Sequence, residues 1–183
     1  MKNAGFGVRL GAHLLDNNIF KLLFIIPFYF ISRSASEDVL RAGFSSIMLL
    51  IVFVFGVSIV IRTIYNVYFV SIYGGTLGKL AFGLKITSEN KLLDKKTAFY
   101  RATAGYAFSS VFLYLGFIKI LTNKDHSAWH DQLFYTNVTR VANSTAGVMA
   151  LVALIMLNLI LFLTSLSNFV NAEVLAILNN LHM

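Results

Sequence analysis

The chain has 183 residues, 57% hydrophobic and 13% charged, with a mean hydropathy of +0.74 and a formal charge of +7. That balance excludes an ordinary water-soluble domain, and in so apolar a chain the positive charge points to cytoplasmic loops and anionic lipid headgroups rather than to nucleic acid. With no cysteine there is no disulfide, no thiolate nucleophile and no cysteine-bound metal.

A first membrane helix is expected over residues 8–31, opening on VRLGAHLLDNNIF. The apolar run LLFIIPFYFI with SRSAS after it looks like a signal peptide, but twenty-one residues precede it and include Asp16, so a retained helix fits better. The polar stretch SRSASEDVLR leads to a second helix from about Ala42 to Tyr73. Within it Gly43–Ile61 runs nineteen residues without a charge, about the length that crosses the hydrocarbon. The whole helix would measure ~45 Å against a hydrocarbon core of ~30 Å, which puts Arg62, Tyr65, Tyr68 and Tyr73 in the headgroup zone.

Residues 74–101 are rich in Gly and Lys but do not form a phosphate loop. Gly74 and Gly78 are three residues apart rather than four, and Lys79 is followed by Leu80 instead of Ser or Thr. LKITSENKLL reads as a hairpin turning at Ser88-Glu89-Asn90, and FYTNVTRV as a third strand. Between them, residues 102–118 are apolar but short and flanked by basic residues. A full crossing would place Lys119, Lys124 and Arg140 outside, so an interrupted or re-entrant helical hairpin is expected. A last helix spans Ala146–Leu166.

The expected fold is therefore an all-α membrane protein with three transmembrane helices, one re-entrant hairpin and a small cytoplasmic β element, the N-terminus facing the cytoplasm. It divides into a membrane domain (1–143), an additional helix (144–167) and a polar tail (168–183). So short a chain is expected to work as a homo-oligomer.

Arg9, His13 and Asp16 fall within about 60° of one another on a helix and form one polar stripe. Arg9 can snorkel to the headgroups, whereas an ionised Asp16 in the membrane costs ~2.5–3.5 kcal/mol and needs a partner. Arg62, at a similar depth on the antiparallel second helix, is the first candidate and Lys21 the second. Asp16 is then either a lock between helices or a proton or cation carrier, with His13 and Asn17 adding donors or oxygen ligands. Asp131 lies beside His130 in WHDQL and is expected to pin that segment onto the Lys79–Arg101 loop. His126 and His130 have helical spacing but lack a third ligand, so no metal site is read there, and no cofactor site elsewhere. Without a nucleophile–base pair the chain is not expected to be an enzyme.

Three separated pieces, VRLGAHLLD, GGTLGKLAFGLKIT, and Arg101 followed by WHDQLFYTNVTRV, together resemble the RDD family of bacterial membrane proteins, from about Gly5 to Val141. The resemblance implies that the signature Arg is Arg9 and the two signature Asp are Asp16 and Asp131. Asn17 and Asn18, where the family is more often apolar, and the added last helix are departures. It implies a bacterial inner-membrane protein, and for some members cation/proton antiport. The expectation is an oligomeric ion or small-solute transporter centred on Asp16, taking a monovalent cation or a proton. The alternative is a non-transporting scaffold or accessory protein in which Arg9, Arg62, Arg101, His130 and Asp131 are structural.

Overall fold

A computed structural model describes residues 3–33, 44–89, 91–105 and 127–181. In chain order these form α1 (Phe6–Arg33), α2 (Phe44–Tyr73), α3 (Leu77–Ala81), β1 (Leu84–Thr87), α4 (Lys95–Tyr100), which widens into a π turn over Arg101–Gly105, α5 (Trp129–Leu133), β2 (Asn137–Arg140) and α6 (Thr145–Leu181). Two stretches, Val52–Tyr73 of α2 and Thr145–Asn168 of α6, are long and apolar enough to cross a membrane. Their surfaces leave large apolar side chains uncovered, Phe53 and Met149 among them. The expected re-entrant hairpin lies mostly outside the described residues.

The chain divides into two compact units, one of residues 1–17 and 59–152, the other of 18–58 and 153–183. In the first, β1 and β2 pair antiparallel, with Leu84 opposite Arg140 and Thr87 opposite Asn137. The N-terminus adds a bridge to the other edge of β2, where Asn3 opposes Thr139 and the Ala4 amide donates to Val138 O at 2.8 Å. Alternation along β1 buries Leu84 and Ile86 and leaves Lys85 and Thr87 half-covered, the period-2 pattern of a strand with one packed face. The turn falls where the sequence places it, with Ser88 and Lys91 exchanging hydrogen bonds of 3.0 and 2.8 Å around Glu89. The expected return strand of that hairpin does not form. Leu93 is buried, and Asp94 at once caps α4 by accepting from Lys96 N and Thr97 N, so the chain turns helical and leaves β2 to pair with β1.

Glycines decide two close approaches in this unit. Gly83 has φ +67°, and its carbonyl accepts from Val141 N at 2.7 Å, joining the start of β1 to the end of β2. The buried Phe82 ring occupies the space that a side chain on Gly11 of α1 or on Gly147 of α6 would need. An aromatic wedge between two bare helix surfaces fixes both helices against the α3–β1 corner.

In the second unit, buried Asn158 of α6 donates to Asn18 O of α1 at 3.2 Å and to Leu154 O at 2.8 Å. An interhelical amide bond of this kind is a recurrent way to fasten membrane helices. The segment from 168 read as a polar tail continues α6 to Leu181. Its Ala, Leu and Glu residues favour helix, and it contains neither Gly nor Pro to stop one.

Candidate functional site

The polar stripe on α1 does not act as one group. Arg9 and Asp16 are two turns apart and are drawn into two separate centres within the first unit.

The first centre is built around Asp131, at the third position of α5. Arg9 Nη1 donates to Asp131 Oδ2 and Arg101 Nη2 to Oδ1, so each carboxylate oxygen faces one guanidinium. The side chain of Asp131 is fully buried, and those of Arg9 and Arg101 are 11% and 4% exposed. Arg9 therefore does not snorkel to headgroups: an enclosed carboxylate holds it, and its Nε donates to Ala4 O at 2.9 Å. Arg101 Nε reaches Thr136 Oγ1 at 3.1 Å, and the Ala128 amide donates to Asp131 Oδ2 at 3.3 Å, as an N3 acid does at a helix start. Arg101 stands on the π turn, whose wider winding shifts side-chain direction relative to an α-helix.

Burial alone would raise the Asp131 carboxyl, but the Arg101 and Arg9 guanidiniums outweigh it and hold it well below the ordinary carboxylate range. The neighbouring His130 is buried too. Desolvation, with Arg101 close by, lowers its imidazole to about 3, against a smaller opposing pull from Asp131. His130 is thus neutral at physiological pH, and its 3.5 Å approach to Asp131 Oδ1 is not an ion pair. Among the described residues no cluster of His, Asp and Glu could hold a metal ion.

The second centre surrounds Asp16. Tyr65 Oη donates to Asp16 Oδ1 at 2.8 Å, the Gly78 amide to the same oxygen at 2.8 Å, and Thr76 Oγ1 to Oδ2 at 2.6 Å. Tyr65 Oη also accepts from Leu77 N at 2.8 Å, and Lys79 Nζ lies 3.3 Å from Thr76 Oγ1. A side chain on Gly78 would run into Ala12 O and stand 2.8 Å from Asp16 Cγ, so only glycine lets this amide reach the carboxylate. The donors that a glycine-rich loop offers to a phosphate are here taken by an internal carboxylate. Arg62 reaches one residue beyond the position expected of it, donating from Nη2 to Asn17 Oδ1 at 2.9 Å. His13 is exposed.

Of the candidate residues, the structure brings together Arg9, Arg101, Asp131 and His130, and separately joins Arg62 to Asn17. The roles of Tyr65, Thr76 and Thr136 are not evident from the sequence. Thr76 stands inside GGTLGKLAFGLKIT and Thr136 inside WHDQLFYTNVTRV, two of the stretches that resemble the family, whereas Tyr65 is one of several aromatics on α2.

The model of the RDD family matches residues 3–135, most of the chain and a range that includes Arg9, Asp16 and Asp131. The chain belongs to the RDD family. Neither the curated proteins nor the solved structures contain a match. Membership in the RDD family and the two long apolar helices suggest a membrane protein. In this RDD chain Arg9 and Asp131 meet each other, whereas Asp16 has its own set of neutral donors.

Proposed function

We propose that this RDD protein is a non-transporting membrane scaffold or accessory protein of the bacterial inner membrane, whose signature charges fasten its fold. The observation that carries this reading is the Asp16 carboxylate, buried and accepting from Tyr65, Thr76 and Gly78, residues 49 to 62 positions away in the sequence. A transported cation would have to displace those donors, and the Lys79 ammonium already stands one hydroxyl away. A carboxylate held by fixed donors suits a helix lock better than a carrier that must exchange its partner.

Orientation follows from charge. Twelve of the 15 Lys and Arg and five of the eight Asp and Glu lie in residues 1–17 and 59–152, so the first unit carries the whole formal +7. By the positive-inside tendency we place this unit, with the N-terminus, at the cytoplasmic face.

The test compares wild type with Asp16→Asn. An amide cannot present two acceptor oxygens, so the variant is expected to lose about 2 kcal/mol and to melt lower in detergent. Wild-type proteoliposomes are expected to show no cation-dependent pH change above empty vesicles. Wild-type flux that Asp16→Asn abolishes without a change in melting would sink the scaffold reading.

A further inference from the structure

We propose that Lys91–Tyr100 is an interfacial segment that binds anionic phospholipid headgroups beside the end of α2. The proposal rests on the chain being a membrane protein, not on the lock at Asp16.

The segment is pinned by one face and bare on the other. Leu93 and Ala98 are 3% and 2% exposed and anchor it to the first unit, whereas Leu92, Phe99 and Tyr100 are 43%, 46% and 47% exposed. Lys91, Lys95 and Lys96 are exposed around them. On α4 the spacing places Lys95 beside Phe99 and Lys96 beside Tyr100, four residues apart on one helical face. Alternating ammonium and apolar groups suit a boundary where phosphates lie above hydrocarbon.

Position supports the same partner. Leu92 lies against Gly74, the residue that follows the Val52–Tyr73 span, so the bare face stands at the level where that span ends. Tyr68 and Tyr73 are half-exposed on the last turns of α2, the aromatic signature of a membrane boundary. Lysines outnumber acids in the segment: Asp94 stays ionised, because the Thr97 side chain and the Thr97 and Lys96 amides hold its pKa below the ordinary value, and the three lysines leave a formal +2 over Lys91–Tyr100.

Because the chain has no cysteine, a single probe can be placed at will. Full-length Tyr100→Cys and, as a water-facing control, Glu89→Cys would carry a nitrobenzoxadiazole label in nanodiscs containing lipid spin-labelled near the headgroup. Quenching at position 100 is expected to rise about twofold when phosphatidylglycerol replaces part of the phosphatidylcholine, with position 89 unchanged. Lys91→Gln, Lys95→Gln and Lys96→Gln together should remove that rise, and high salt should reduce it without any substitution. Equal quenching in both lipids would overturn recognition by charge. No quenching in either would overturn the interfacial placement, including in favour of a protein partner on this face. Neither failure would bear on flux or on the melting of Asp16→Asn.

Discussion

Replacing Asp131 by Asn would leave Arg9 and Arg101 buried against a neutral amide that can accept through only one oxygen. Removing one partner of a buried ion cluster costs roughly 3–5 kcal/mol, so Asp131→Asn is expected to unfold in mild detergent at temperatures where wild type survives. Asp131→Glu keeps the charge and should retain more stability, a contrast that a loss of side-chain volume would not produce. The neighbouring imidazole sets the pH response. Below the ordinary histidine value of 6.5 an unfolded chain takes a proton on His130, whereas the folded protein refuses it until about pH 3. Stability therefore falls as pH drops through that window, at up to about 1.4 kcal/mol per unit. The depressed Asp131 carboxyl adds a further loss only below its ordinary 3.8. Thermal melts between pH 7 and 4.5 should show the first slope, and His130→Gln should flatten it. An unchanged slope in that variant would assign acid sensitivity to other groups.

Between elements, Phe82 is the joint that holds α1 and α6 to the α3–β1 corner. A methyl group added at Gly147 would fall within van der Waals distance of the ring, and overpacking of this kind costs about 1–3 kcal/mol. Gly147→Ala is expected to lower the melting temperature, and Phe82→Leu, itself destabilising, should recover part of that loss in the double variant. A double-mutant cycle gives the coupling directly, and additive losses would mean that the ring can move aside at no cost. This joint was not legible in the sequence. Phe82 is one of 17 phenylalanines, and Gly11 and Gly147 sit in helices where glycine normally signals nothing but flexibility. The limits of α1 and α2 were legible, because uncharged runs and the Gly74-Gly75 break leave few alternatives, but the end of α6 was not, because its polar last turns carry no residue that stops a helix. The false return strand shows the limit of period-2 reasoning. Lys91-Leu92-Leu93 alternates too briefly to outweigh an Asp cap that starts a helix three residues later.

Across the molecule, the charges of Arg9, Arg101 and Asp131 tie sequence-distant segments to one place. Arg9 and Asp131 are 122 residues apart, Arg101 and Asp131 thirty, and the N-terminal bridge, β1 and β2 make continuous hydrogen bonds. The sequence supplied the members of this set, through the three pieces that mark the family, but not their pairing. A helical stripe grouped Arg9 with Asp16 because helical spacing describes only one element, whereas the carboxylate that Arg9 needs comes from α5. The pairing has a topological consequence. Arg101 and Asp131 are in contact, so residues 101 and 131 are expected on one side of the membrane. Single cysteines at Asn3, Glu89 and Arg140 should therefore all react with an impermeant maleimide from the same face of sealed vesicles, and all be protected from the other. If Glu89→Cys and Arg140→Cys reacted from opposite faces, the β1–β2 sheet and the Arg101–Asp131 clamp could not both exist in the membrane.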